Sequence, residues 1–213
     1  MSYSRGLPVI GIVGGIGSGK SSVPRKLSER RALRILDADK IGHELLNDQT
    51  VKDEIRNKFG PDVFDSDGNI SRPSLAGVVF GDSARNQQDR KTLNEILHPK
   101  IRKEIRRQIE HANQDASTEA VILDAALLLE TGWDQECNTV VFVDVPRPVR
   151  QQRVVENRGW TPEELTKREK NQLPVNEKKS RCDHSIDNGG ALNDAAEALE
   201  TILDTLLSNR QPG

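Results

Sequence analysis

The stretch VIGIVGGIGSGKSS, residues 9–22, combines a β-branched run with a glycine-rich turn. Residues 9–13 show no helical period, as expected for a strand buried on both faces of a parallel sheet. The turn at residues 14–21 satisfies the pattern G-x-x-x-x-G-K-[ST], and residues from about 19 to 30 favour a helix. An accidental glycine-rich turn is the alternative. The eight-residue match between a strand and a helix favours a phosphate-binding loop.

Each residue type in this loop has a physical role toward phosphate. Glycines let the backbone curl so that successive N–H groups point at phosphate oxygens, and the helix N-terminus adds its positive dipole end. We expect Lys20 to reach the β- and γ-phosphates of ATP and the hydroxyl of Ser21 to ligate Mg²⁺. The nucleotide-binding candidates are Gly15, Ile16, Gly17, Ser18, Gly19, Lys20, Ser21 and Ser22.

Length and composition bound the rest of the molecule. At 213 residues the chain suits one α/β domain with small insertions. Its formal charge of -2 gives no overall attraction to nucleic acid or membranes, so we expect neither as a partner. The two cysteines, Cys137 and Cys182, lie far apart without a metal-ligand pattern, which is typical of reduced thiols in a cytoplasmic protein. No segment approaches eighteen apolar residues.

The order of elements predicts a doubly wound α/β fold with a parallel sheet. Further strands are expected near residues 34–36, 121–123, 139–143 and 185–187, with an amphipathic last helix over 192–206 and a frayed tail at 209–213. The core would comprise about 8–39, 112–146 and 182–208. A charged, mostly helical lobe would occupy about 40–111, with breaks near 60–61, 66–69 and 81–83. A lid would occupy about 147–181.

Acidic residues follow three of the expected strands, where parallel sheets present ligand-binding groups. Asp37 and Asp39 follow the second strand, and either could take a proton from an attacking hydroxyl or simply cap the next helix. Asp124 closes an apolar strand and could hold Mg²⁺ through water. Asp144 has the same local sequence character, so the pattern does not separate these two residues.

The segment of residues 147–181 is rich in cations. It holds ten basic and five acidic residues in a chain that is slightly acidic overall, which suits closure over a triphosphate. A helix starts at Thr161 and is expected to continue to about Gln172. We single out Arg153 and Arg158, which flank a gap before that helix; a solvated helix face is the alternative for them. A lone histidine such as His98 is more often structural than catalytic.

Taken in order, the motifs of this chain resemble those of the dephospho-coenzyme A kinases. Besides the phosphate loop, the resemblance rests on Asp37-Ala38-Asp39, Gly68-Asn69-Ile70-Ser71-Arg72, Leu97-His98-Pro99, residues 124–130, Arg153 with Arg158, Gln172-Leu173-Pro174 with Lys178, and Ile186-Asp187-Asn188-Gly189. Only the phosphate loop is specific individually, whereas the ordered set is highly specific. It extends from about Ile10 to Gly189.

The resemblance implies a kinase that phosphorylates the ribose 3′-hydroxyl of dephospho-coenzyme A with MgATP. By position it implies Asp39 as general base, Lys20 and Arg153 as further catalytic groups, and Arg153 and Arg158 on ATP. The acceptor would be bound by the helical lobe. The residues that it implies for acceptor binding are Asp37, Asp39, Arg72, His98, Leu127 and Glu130, and those for metal binding are Ser21 and Asp124.

Two positions depart from the family pattern. Ala126 stands where the family usually has Pro, and Leu129 stands where it usually has Phe, so the acceptor side of the site is expected to differ in shape. Another small-molecule kinase, of the nucleoside or shikimate type, is the nearest alternative. A nucleotide-dependent switch is a second alternative, although the chain lacks an Asn-Lys-x-Asp guanine motif. We expect a monomer, with a higher oligomer left open.

Overall fold

The computed structural model describes residues 6–81 and 83–209. Its strands are β1 Val9–Gly14, β2 Leu33–Asp37, β3 Ala120–Asp124, β4 Thr139–Asp144 and β5 His184–Asp187. Its helices are α1 Ser22–Leu27, α2 Ala38–Leu45, α3 Gln49–Phe59, α4 Arg72–Val79, α5 Ala84–Ala112, α6 Arg147–Arg158, α7 Pro162–Glu169, α8 Val175–Ser180 and α9 Leu192–Ser208. Short 3-10 turns lie at Pro61–Val63 and Trp133–Glu136.

The chain forms two compact units, one of residues 1–37 with 108–213 and the other of residues 38–107. The first unit contains a five-stranded sheet in the order β2-β3-β1-β4-β5, in which every neighbouring pair is parallel. The central strand β1 has β3 on one side and β4 on the other. Parallel sheets bind ligands at the carboxyl end of such a strand, where the chain divides to the two sides.

Helices cover both faces of this sheet. On one face, Ile10 and Ile12 of β1 pack in a buried cluster with Val23 of α1 and Leu199 of α9. On the other face α8 lies against β1 and β4. The prediction of a doubly wound α/β fold is confirmed, because β-branched strands buried on both faces need helices on both sides.

Gly11 lets side chains approach β1 closely on the second face. A Cβ atom at this position would lie 2.6 Å from Leu128 Cδ2 and 2.9 Å from Cys137 Sγ, so a larger residue would require these side chains to shift. The segment after β3, which begins at Ala125, therefore packs directly on the backbone of β1.

The second unit is helical, with a core of its own formed by Val51, Ile55, Val63, Leu75, Val79 and Ile96. Asp48 caps α3 by accepting hydrogen bonds from Thr50 N at 2.9 Å and Val51 N at 3.2 Å. Gly60 ends α3 with a positive φ of 80°, as the expected break near 60–61 requires. A bridge between Phe64 and Ile70 closes the turn between them.

The structure corrects two boundaries in the cation-rich segment. Residues 147–158 form the continuous helix α6, so Arg153 lies inside a helix instead of beside a gap. The helix that starts at Thr161 has the expected capping box with Glu164 but ends at Glu169, three residues early.

Two expectations fall partly outside the described residues, namely the break at 81–83, which includes Asp82, and the tail at 209–213, of which residue 209 is described. No helix in the described ranges is both long and apolar enough to cross a membrane.

Candidate active site

The phosphate loop leaves β1 at Gly14 and enters α1 at Ser22. Gly17 and Gly19 have positive φ angles of 83° and 76°, which favour glycine. A Cβ atom on Gly17 would lie 2.5 Å from the backbone oxygen of Arg150. The glycines are therefore required both by the curl of the loop and by the close approach of α6.

Lys20 and Asp124 form an ion pair at the end of the loop. Asp124 is the last residue of β3, in register with Ile12 of β1, and is 3 % exposed. Asp144, which has the same sequence character, instead pairs with Lys179 at 2.6 Å. The structure thus separates two acids that the pattern left equivalent, because Asp124 pairs with Lys20 of the phosphate loop and Asp144 pairs with Lys179.

The donor set near the loop fits a magnesium ion carried by a nucleotide. Ser21 precedes α1 and its hydroxyl makes no capping hydrogen bond, and the Asp124 carboxylate, which is paired with Lys20, could offer a second hard oxygen. Mg²⁺ in such sites takes one or two protein oxygens together with phosphates and water. Within the described residues no group of three or more His, Cys, Asp or Glu side chains could hold a metal by itself.

Asn188 braces the loop from the end of β5. It is 3 % exposed, and its Nδ2 donates to the backbone oxygen of Ser18 at 2.7 Å. Its own backbone N–H donates to Asp144 O at 2.9 Å, which fixes the residue at the edge of the sheet. Asn188 belongs to one of the family motifs, but the sequence alone predicted no role for it in the site. Its polar side chain directly after a strand was the available signal.

Two arginines of α6 flank the loop. Arg150 is 3 % exposed and donates from Nη1 to Ile16 O at 3.0 Å and to Glu169 Oε1 at 2.7 Å. Arg153, three residues later on the same helix face, donates from Nη2 to Asn188 O at 2.8 Å. The structure places the expected residue Arg153 beside the loop and adds Arg150, which in the sequence is one of ten basic residues with no distinguishing signal.

Comparison with known proteins agrees with this arrangement. The family model described as dephospho-CoA kinase matches residues 8–194. A dephospho-CoA kinase of Symbiobacterium thermophilum is 38 % identical over 90 % of this chain and 78 % of its own length. Another, of Corynebacterium diphtheriae, is 38 % identical over 86 % of this chain and 89 % of its own.

The chain belongs to the dephospho-CoA kinase family. Among solved structures, TT1252 from Thermus thermophilus is 30 % identical, with a TM-score of 0.78 over 95 % of this chain and 99 % of that one. A shikimate kinase from Acinetobacter baumannii has a TM-score of 0.51 at 19 % identity over 97 % of this chain and 96 % of that one, which shows a shared fold alone. The predicted family is confirmed, and with it the prediction of a nucleotide-binding kinase enzyme.

The family segment after β3 has a defined structural role here. Glu130 Oε1 accepts from Lys178 Nζ at 2.9 Å and from Leu173 N at 2.9 Å. Lys178 is 1 % exposed and also donates to Ala126 O at 3.0 Å. Ala126, which stands where the family usually has Pro, therefore contacts Lys178 through its backbone oxygen. Leu129, which stands where the family usually has Phe, is buried. Leu127 is partly buried, and its backbone oxygen accepts from Thr131.

The remaining candidates lie apart in the chain. Asp37 ends β2 and is in register with Asp124 on β3, so the two acids are neighbours at one edge of the sheet. Asp39 lies in the first turn of α2, Arg72 is the exposed first residue of α4, and His98 lies in α5, all in the second unit. Burial lowers the pKa of His98, which favours the neutral imidazole at pH 7.

Neither of the two cysteine thiols, Cys137 and Cys182, is suited to act as a nucleophile. Burial raises the pKa of Cys137 far above its usual range and that of Cys182 to about 11. The thiolate is the nucleophilic form of cysteine, so both residues are inert at neutral pH.

Arg158, the last residue of α6, contacts an aromatic ring. Its guanidinium carbon lies 4.9 Å from the ring centroid of Trp160. Arg153 bonds to Asn188 beside the phosphate loop, whereas among the described residues Arg158 makes no hydrogen bond or ion pair.

Proposed function

We propose that this chain transfers the γ-phosphoryl group of ATP to the ribose 3′-hydroxyl of dephospho-coenzyme A, giving coenzyme A and ADP. The observation that carries the acceptor is the family match over residues 8–194. The phosphate loop, with Lys20 paired to Asp124, supports the donor. The phosphate loop follows β1 and Asp124 ends β3, so both lie at the carboxyl edge of the sheet, where such folds bind nucleotides.

Residues 15–22 bind the phosphates of ATP through their backbone N–H groups. Lys20 then exchanges its carboxylate partner, Asp124, for oxygens of the β- and γ-phosphates. Arg153 and Arg158 add positive charge opposite the group in transfer. Phosphoryl transfer leaves little covalent chemistry for the protein to perform. Catalysis therefore comes from positioning the reactants and from stabilising the charge of the transferring group.

Ser21 and Asp124 are the residues that would hold Mg²⁺, and the bound ion would supply positive charge near the β- and γ-phosphate oxygens. The Asp124 carboxylate is already buried at the site, so it does not have to be desolvated when the nucleotide binds.

Asp39 is the general base that takes the proton of the acceptor hydroxyl. A carboxylate placed shortly after a strand end can accept this proton while the hydroxyl oxygen attacks. Asp37, Arg72, His98, Leu127 and Glu130 are the further candidates for acceptor binding. The helical residues 40–111 would hold the acceptor, and residues 147–181 would act as a lid. A monomer and a cytoplasmic location stay predictions from the sequence.

The test is ADP release with MgATP and a panel of acceptors: dephospho-coenzyme A, adenosine, AMP and shikimate. Dephospho-coenzyme A should be preferred by at least about 10²-fold in kcat/KM, because binding energy from its remote parts contributes to orientation. The position of the new phosphate is read by mass spectrometry and NMR. Preference for another acceptor, or a phosphate on another oxygen, refutes the proposed substrate and favours a nucleoside or shikimate kinase.

A further inference from the structure

Trp160 lies beneath two guanidinium groups. It occupies the short connection between α6 and α7, and its ring centroid is 4.9 Å from Cζ of Arg158 and 3.8 Å from Cζ of Arg168. Both distances fall within the range of cation–π attraction. The two cations come from the last turns of successive helices and meet on one indole ring.

These two guanidinium groups, called here the guanidinium pair, lack acidic partners. Among the described residues neither makes an ion pair or a side-chain hydrogen bond, although acids are close in sequence. Glu164 accepts from Thr161 N at 2.9 Å as part of the capping box, and Glu169 is paired with Arg150 at 2.7 Å. Both guanidinium carbons lie within 4.9 Å of the same ring centroid, so they are no farther apart than about one Debye length, which is about 8–10 Å. Their mutual repulsion would be relieved by a bound anion.

The guanidinium pair is linked to the phosphate loop through two polar contacts. Arg168 is followed by Glu169, whose Oε1 binds Nη1 of Arg150 at 2.7 Å. The same nitrogen donates to Ile16 O in the loop at 3.0 Å. Because Arg150 is buried, this link holds the end of α7 close to the place where the loop receives phosphates. A polyphosphate chain bound at the loop would have the negative charge and the position needed to contact the guanidinium pair.

We propose that Trp160 is a positioning residue that orients Arg158 and Arg168 toward the polyphosphate of bound ATP. A guanidinium that stacks by its face keeps its in-plane N–H edges available for bidentate contact with phosphate. The indole therefore orders two long side chains before the nucleotide arrives, which lowers the entropy cost of binding. The identity of the nucleotide rests on the proposed function.

The kinetic test compares Trp160→Leu with Trp160→Phe in the full chain. Loss of two exposed cation–π contacts should raise the KM for MgATP by about five- to thirtyfold in the Leu variant. Phe, which retains a weaker π face, should restore part of that loss. The KM for dephospho-coenzyme A should stay within about twofold, because the contact is with the nucleotide.

Two charge variants separate orientation from net charge. Arg168→Lys keeps the charge but loses the planar group, and should raise the KM for MgATP nearly as much as Trp160→Leu. Lys170→Ala removes an exposed cation from the end of the same helix and should change this KM less than about twofold. Equal losses in Lys170→Ala and Arg168→Lys would refute orientation. A wild-type KM for MgATP in Trp160→Leu would also refute it. The same holds if Trp160→Leu and Trp160→Phe raise this KM equally and both lower the Tm.

Tryptophan fluorescence supplies a readout that does not require turnover. The difference between the wild type and Trp160→Phe isolates Trp160 from the buried Trp133. ATP and tripolyphosphate, each without acceptor, should change this difference signal, and dephospho-coenzyme A alone should not. A response to dephospho-coenzyme A alone would assign the guanidinium pair to the acceptor's diphosphate and refute the nucleotide assignment, as would no response to any anion. If the wild type failed to phosphorylate dephospho-coenzyme A, the proposed function would fall while this signal still tested the guanidinium pair.

Discussion

Replacement of Asn188 by Ala removes a single side-chain donor from the phosphate loop. Its Nδ2 donates to Ser18 O at 2.7 Å, and both residues are at most 3 % exposed, so water has little access to replace the lost donor. A buried carbonyl left without a donor costs about 1–3 kcal/mol. The backbone contacts of residue 188 with Asp144 and Arg153 do not depend on its side chain. We therefore expect a loss of about 1–3 kcal/mol, and a Tm lower by about 2–4 °C for each kcal/mol.

The same replacement should impair catalysis through the geometry of the loop. Ser18 and Gly19 are adjacent, and their N–H groups are among those expected to contact phosphate oxygens. A shift of about 1 Å at such a site can cost about 10² in rate. We expect kcat/KM for MgATP to fall by about 10- to 100-fold, while the KM for dephospho-coenzyme A changes little. Coupled measurement of ADP release, with MgATP varied at saturating acceptor and then the acceptor varied at saturating MgATP, gives both values.

Asn138→Ala is the matched control for this experiment. Asn138 Oδ1 accepts from Val9 N at 2.7 Å, a side-chain-to-backbone bond of the same length at the opposite end of β1. The Asn138→Ala variant should have a lower Tm but no selective decrease in kcat/KM for MgATP. If Asn188→Ala lowers the Tm but keeps the wild-type kcat/KM for MgATP, the brace stabilises the fold only. A comparable kinetic loss in Asn138→Ala would also contradict the reasoning.

Three further predictions concern the phosphate loop and its neighbours. Lys20→Ala should lower kcat by more than tenfold, or about 1.4 kcal/mol, in a protein whose circular dichroism stays near that of the wild type, while the unpaired buried carboxylate of Asp124 lowers the Tm. Asp39→Asn should lower kcat by about 10² while ATP affinity, measured by calorimetry, changes little; a larger effect from Asp37→Asn would assign the base to Asp37 instead. Arg153→Ala and Arg158→Ala should both lower kcat/KM for MgATP by about tenfold, and wild-type kinetics in both would place these arginines outside the site.

The sequence by itself determined the central strand, the phosphate loop and the α/β class. These features are encoded locally: a β-branched run, glycines at positions that need positive φ, and a lysine and serine at set spacing within residues 9–22. The start of α7 at Thr161 was equally local, because a capping box is complete within four residues. The family resemblance added the acceptor, which no local pattern specifies.

Only the tertiary structure decided which distant groups meet at the loop. Asp124 and Asp144 each end an apolar strand, and their roles diverge because Lys20 reaches the first and Lys179 the second. Asn188 and Ser18 are 170 residues apart in the chain, so no periodicity could pair them. Arg150 looks like any cation of a charged helix until its burial against Ile16 is known. Such contacts arise from the spatial order of the strands in the sheet, and that order depends on packing across the whole sheet.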